Sequence, residues 1–142
     1  MLSLSQTTGY AILALGCLDG AAGEWMLSQQ INAETGIPMP YLRKILNTLR
    51  KSGLVRAKRG YQGGFQLARP SDRITLMDVV KAVEGRRPKS HCLLGLAACS
   101  KENLCPVHVS WQAAKNDIEA QLESVTVEDM AGCTWTLPRQ KG

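Results

Sequence analysis

The chain has 142 residues and a mass of 15.5 kDa, the size of one domain with room for an appendage, which excludes a large multidomain enzyme. Hydrophobic residues make up 44% and charged residues 20%, with 5% aromatics and a single Phe; these values exclude a wholly disordered chain and point to a Leu, Ile, Val and Ala core packed between helices. The net charge of +5 falls in residues 1–73, which hold nine basic and four acidic residues, whereas residues 74–142 hold eight of each.

Residues 4–18 are dense in Ala and Leu and predict a mostly buried helix, broken by Gly20 and Gly23. Its apolar stretch from Tyr10 to Leu18 has nine residues, against about 20 for a membrane span. No membrane partner is therefore expected. No basic residue precedes Arg43, so the charged start of a secretory signal is missing and a cytoplasmic location is expected.

A short helix is expected over Met26 to Ala33, with a turn at Gly36. Pro38 and Pro40 suit the first turn of a second helix, and Gly53 suits its C-terminal cap. Along it Tyr41, Leu42, Ile45, Leu46 and Leu49 recur at three and four residues as a packed side, leaving Pro40, Arg43, Lys44, Asn47 and Lys51 on the other. Two extended runs, Leu54 to Lys58 and Phe65 to Arg69, flank Arg59-Gly60-Tyr61-Gln62-Gly63-Gly64 and predict a hairpin with a glycine-rich tip.

Thr75 followed by Asp78, ahead of Val79, Val80 and Val83, is a capping-box signature for a further helix ending at Gly85. No period holds from Arg86 to Cys105. From Pro106 onward Val107, Trp111, Ala114, Ile118, Leu122 and Val125 form one stripe along a long helix, which calls for a partner. Thr126 to Ala131 suggests a last short helix, and the tail from Pro138 reads as frayed.

Short helix, glycine turn, second helix with a basic face and then a two-stranded hairpin is the order of a winged helix-turn-helix. It lies in a basic stretch with no acid between Glu34 and Asp72, so the expected partner is double-stranded DNA. In that geometry the second helix enters the major groove with its N-terminal residues at base edges. Pro40, Tyr41, Arg43 and Lys44 are placed to read, Arg43 as a bidentate partner of guanine and Lys44 toward a base or a phosphate, with Lys51 further along the same basic face. At the hairpin tip Arg59 is a probe for a narrow minor groove on a backbone freed by Gly60, while Lys58 and Tyr61 would touch phosphates.

Cys92, Cys99 and Cys105 are separated by six and five residues, and His108 follows Cys105 after two more. Three thiolates and an imidazole suit an iron–sulfur cluster or zinc. Structural zinc sites usually pair cysteines two to four residues apart, so the wider spacing weighs toward a cluster. His91 rivals His108 as the nitrogen ligand, and His108 is preferred because it opens a helix. Cys17 reads as core and Cys133 as incidental. A disulfide framework is not expected from five cysteines in a chain without an export signal.

Together Tyr41-Leu42-Arg43-Lys44-Ile45-Leu46, the run Gly53-Leu54-Val55 leading to Arg59-Gly60-Tyr61-Gln62-Gly63-Gly64-Phe65, and Cys92, Cys99, Cys105 with His108 resemble the iron–sulfur-sensing winged-helix transcription regulators of the IscR/NsrR family, over residues 1 to about 131. The resemblance implies a homodimer whose long C-terminal helices cross between subunits, with a cluster loop in each subunit and an operator affinity that follows the state of the cluster. Cys105-Pro106-Val107-His108 looks like the IscR arrangement, which favours 2Fe-2S over 4Fe-4S. Two departures stand: the first cysteine gap is one residue longer than in the IscR pattern, and Gln6, Thr7 and Thr8 occupy the region where the NsrR arrangement supplies an acidic ligand.

The expected fold class is therefore mainly α with a small β-hairpin wing: a winged helix-turn-helix DNA-binding domain over 1–85, a cysteine-rich cluster loop over 86–105, and a dimerisation helix with its tail over 106–142. The expected function is redox, nitric oxide or iron–sulfur sensing by a DNA-binding regulator. The same regulator with a zinc, thiol-switch or metal-free loop is the alternative. An electron carrier would leave the basic segment without a purpose, and no nucleophile-base motif, phosphate loop or metal-hydrolase signature supports an enzyme.

Overall fold

A computed structural model describes residues 4–85 and 106–131. Helix α1 (Gln6–Gly20) begins where Ser5 can cap it, its hydroxyl accepting the Thr8 N–H at 3.4 Å. The helix lies two residues later than its composition suggested and runs through Gly20. The chain reverses only at Ala22 (φ 51) and Gly23 (φ 88). One face of α1 buries Tyr10, Ala11, Ala14, Leu15 and Leu18.

Helix α2 (Ser28–Thr35) does not include Met26, which was expected to open it. Met26 is extended and paired with the hairpin instead: its N–H donates to the Phe65 carbonyl at 2.9 Å, and the Phe65 N–H returns a bond of 2.7 Å. Pairing across a long stretch of chain outweighs the local helical pattern here, because it satisfies two backbone groups of a residue buried in the core.

Helix α3 (Met39–Lys51) starts on the Pro38-Met39-Pro40 run and buries Leu42, Ile45, Leu46 and Leu49. Truncating any of these side chains to Ala would cost about 2–5 kcal/mol. Ser52, Gly53 (φ 77) and Leu54 then turn the chain, with the Leu54 N–H on the Leu49 carbonyl at 3.0 Å. Strands β1 (Val55–Lys58) and β2 (Gly64–Leu67) pair antiparallel in the register Val55↔Leu67 to Lys58↔Gly64.

After a 3-10 turn at Ser71–Arg73 comes α4 (Leu76–Glu84), opened by the expected capping box: Thr75 Oγ1 accepts the Asp78 N–H at 3.1 Å and Asp78 Oδ2 accepts the Thr75 N–H at 3.0 Å. Helix α5 (His108–Ser124) packs beside α4, and α6 (Val127–Met130) follows with a second capping box between Thr126 and Asp129. Thr75 and Thr126 form a backbone bridge, flanked by bonds from the Leu76 N–H to the Val125 carbonyl and from the Val127 N–H to the Ile74 carbonyl, both 2.9 Å. The start of α4 is thereby fastened to the end of α5, so the two helices run antiparallel.

The core joins Leu15, Ile31, Ile37, Leu42, Leu46, Leu49, Ile74 and Val79, and Val127 enters it as well. The chain after α5 thus returns to the packing of residues 4–85. Helix α5 itself buries no residue within the chain, and on it Val109 is 70% and Ile118 53% exposed. Of the expected stripe, Ala114 and Ile118 are exposed, and Val107, Trp111, Leu122 and Val125 are half-buried.

Candidate nucleic-acid interface

The turn between α2 and α3 is braced from both sides. Gly36 adopts a left-handed conformation (φ 74) and donates its N–H to the Asn32 carbonyl at 2.8 Å, while Asn32 Nδ2 donates to the Ile37 carbonyl at 2.7 Å. Ile37 is fully buried, which fixes where Pro38 and the first turn of α3 leave the core.

On α3 the residues expected to read DNA are outward-facing: Pro40, Arg43, Lys44 and Lys51 are exposed, together with Asn47 and Arg50. Arg50 Nη2 donates to Asn47 Oδ1 at 2.9 Å. Among the described residues, one salt bridge is present, Arg69 to Asp78 at 3.8 Å, and it engages none of these cations. Tyr41 departs from the expected packed side. It is 55% exposed and tilts against Tyr10 of α1, with ring centroids 6.4 Å apart, because its position at the edge of the apolar stripe leaves one flank to solvent.

At the hairpin, Lys58, Arg59, Gly60 and Tyr61 are exposed, Tyr61 by 90%. The glycines divide their work. Gly60 (φ 89) stands in open space, whereas a Cβ on Gly63 would strike the Lys58 and Gly60 carbonyls and one on Gly64 (φ 141) would strike the Met26 carbonyl. Gly63 and Gly64 are therefore demanded by closure of the hairpin and its pairing with Met26. Sequence reasoning missed Trp25: the Lys58 Nζ lies 5.8 Å from its ring centroid, a cation–π contact between residues far apart in the chain. No local period could have announced it.

Behind the hairpin a cleft of about 560 Å³ is lined by Asp19, Arg56, Arg69 and Asp72 among others. Among the described residues no buried side-chain polar atom lacks a hydrogen-bond partner.

Cys92, Cys99 and Cys105 lie outside the described residues, as does His91. His108 is the first residue of α5 and half-buried. Among the described residues no cluster of three or more His, Cys, Asp or Glu is arranged to hold a metal ion. The segment 86–105 departs from the end of α4 and rejoins just before α5, and the departing end is tethered: Glu84 Oε1 accepts the Thr8 hydroxyl at 2.7 Å and the Ser5 N–H at 2.9 Å. The Cys17 thiol, in α1, donates to Glu34 Oε2 at 3.1 Å and lies 3.9 Å from the Met26 sulfur. Burial, then the Glu34 carboxylate as acceptor and as charge, push this thiol up to about 12.

A braced helix-turn-helix followed by a hairpin wing, with an exposed basic face on the second helix, defines a winged-helix DNA-binding protein of the transcription-regulator class. The chain belongs to the Rrf2 family, described as iron-dependent transcriptional regulators, whose sequence pattern matches residues 4–132. An HTH-type transcriptional regulator of Aquifex aeolicus is 32% identical over 128 residues, covering 89% of both chains. The regulator IscR of Xenorhabdus nematophila is 32% identical over 100 residues, 70% of this chain and 60% of that protein. Among solved structures, IscR of T. potens superposes with a TM-score of 0.72 at 28% identity, covering 95% of this chain and 94% of the other. CymR of B. subtilis, the global cysteine regulator, shares the fold with a TM-score of 0.76 at 24% identity, covering 95% and 100%. These relatives are regulators of transcription and not enzymes. No helix among the described residues is long and apolar enough to cross a membrane.

Proposed function

We propose that the protein is a homodimeric transcriptional regulator that binds an operator through Arg43, Lys44 and the wing, and whose affinity follows the state of an iron–sulfur cluster, 2Fe-2S in preference to 4Fe-4S. The observation that carries the DNA reading is the exposed, cationic outer face of α3, held by the Asn32 brace. Pro40, Tyr41, Arg43 and Lys44 would meet base edges, and Lys51, Lys58, Arg59, Gly60 and Tyr61 the phosphates and the minor groove.

The donor set Cys92, Cys99, Cys105 and His108 fits a cluster, since thiolates are its ordinary ligands and an imidazole raises its potential. A cluster held there would supply a centre sensitive to oxidation, nitric oxide and iron supply. The chain's own residues offer the connection to DNA: Glu84, beside the departing segment, holds the first turn of α1, and α1 touches the reading helix through Tyr10 and Tyr41.

The dimer is supported by α5, whose Ala114 and Ile118, one turn apart on the expected stripe, face solvent in a single chain. A second copy would cover that face. The composite reading is tested by purifying the full chain without oxygen, assaying iron and sulfide, and titrating a selected DNA duplex with and without the cluster. Colour and iron that fall in His108→Ala, with operator affinity altered on cluster removal, support it. Iron-free protein with unchanged DNA binding defeats the sensing reading and leaves the alternative of a zinc, thiol-switch or metal-free loop, which metal analysis resolves.

A further inference from the structure

We infer that Trp25 is a positioning residue for the wing: its indole holds the Lys58 ammonium in place for a DNA phosphate. The inference rests on the reading of the wing as a DNA-contacting element. It begins from the sheet register. Met26 pairs with Phe65, and Lys58 pairs with the neighbouring Gly64. Successive residues of a strand face opposite sides. Met26 is buried on the inner side, so Trp25 falls on the outer side together with Lys58 and Gly64.

Trp25 stands across from Gln66 and diagonally from Lys58, whose own partner Gly64 adds no side chain to that side, and the Lys58 Nζ comes to 5.8 Å from the Trp25 ring centroid. The outer side of the same sheet also carries Arg56, whose Nη2 donates to Gln66 Oε1 at 2.8 Å. Gln66 Nε2 in turn donates to the Gly23 carbonyl, two residues before Trp25. Arg56 is thus occupied by an amide, and Lys58 is the cation that rests on an aromatic face. Trp25 is half-buried and preceded by the reversal at Ala22 and Gly23, so the indole is a fixed support on which a flexible lysine loses freedom before DNA arrives. A cation already ordered costs less entropy to bind.

The test uses the full chain, purified without oxygen, and a fluorescent duplex recovered by the wild-type protein from a random-sequence pool. Affinities are measured across a salt series for the wild type, Trp25→Ala, Trp25→Phe, Lys58→Ala and the Trp25→Ala/Lys58→Ala pair. Trp25→Ala should weaken binding about two- to fivefold, and its salt dependence should move toward that of Lys58→Ala, which loses about 0.9 of slope for one phosphate contact. The double variant should bind like Lys58→Ala, and Trp25→Phe, which keeps an aromatic face, should lie near the wild type. Equal losses from Trp25→Ala with and without Lys58, or an unchanged salt slope, would overturn the positioning role while leaving DNA binding intact. Failure of the wild type to enrich any sequence would instead remove the DNA reading, and this inference with it.

Discussion

The Thr8 hydroxyl donates to Glu84 Oε1 at 2.7 Å, joining residues 76 positions apart and fixing the first turn of α1 to the last turn of α4. Thr8 is fully buried, and the same carboxylate oxygen accepts the Ser5 N–H. A carboxylate at the amino end of α1 is also well placed for that helix's dipole. Hydrogen bonds to a charged group contribute about 1.5–3 kcal/mol when partly shielded, so Thr8→Val and Glu84→Gln should each lower unfolding free energy by about 1–2 kcal/mol. Urea denaturation of the two variants and the double variant measures it. Losses that simply add would show that the two groups do not depend on each other.

The wing makes a graded prediction. Gly64→Ala and Gly63→Ala place a methyl group against backbone carbonyls and should cost roughly 1–3 kcal/mol, whereas Gly60→Ala meets open space and should cost about 1 kcal/mol for its positive φ alone. Thermal melts of the three variants check the order. A Gly63 or Gly64 variant as stable as Gly60→Ala would contradict the close approach to Lys58 and Met26.

Arg43 and Lys51 should separate by kind of contact. Arg43→Ala is expected to cost about 1–3 kcal/mol on the selected duplex and much less on unrelated DNA, as for a base contact. Lys51→Ala should weaken both duplexes alike and reduce the salt slope by about one unit. Competition binding at several salt concentrations distinguishes the two patterns. Uniform weakening by Arg43→Ala would place that side chain on a phosphate.

Cys17 gives a prediction about pH. Its thiol is pushed from 9.0 up to about 12 by burial and by Glu34. The folded chain therefore holds this proton more tightly than the unfolded one. The resulting stabilisation is full below about pH 9 and is lost as pH rises from 9 through 12. Cys17→Ala should show a shallower alkaline loss of stability than the parent. At pH 8, iodoacetamide should leave Cys17 unmodified in the folded protein and label it after denaturation, as read by peptide mass mapping. Prompt labelling of the folded chain would contradict the Cys17 to Glu34 bond.

The face of α5 predicts assembly. Ile118→Glu places a charge on the exposed stripe, and sedimentation should then report a monomer where the parent is expected to report the proposed dimer. A dimer that survives the substitution would locate the contact elsewhere.

Much of the site was readable before the fold was known. The apolar repeat of Leu42, Ile45, Leu46 and Leu49 assigns the outward side of α3 to Arg43, Lys44 and Lys51, because helical periodicity acts within four residues. Thr75 and Asp78 announced α4 for the same reason. Tyr41 was harder, since it sits at the border of the stripe and only the neighbouring Tyr10 ring settles its place. Met26 and Trp25 were misread or missed, because their partners, Phe65 and Lys58, lie far along the chain.

By itself, then, the order of residues determined where α3 and α4 start and stop, which side of α3 is cationic and which cysteines stand close along the chain, all consequences of spacing along a few neighbouring positions. Tertiary structure alone decided that Met26 extends the wing, that Glu84 holds α1, that Lys58 rests on Trp25 and that Val127 returns to the core. Those contacts exist only once burial of the shared apolar core has brought distant segments together, and a local pattern carries no record of that distance.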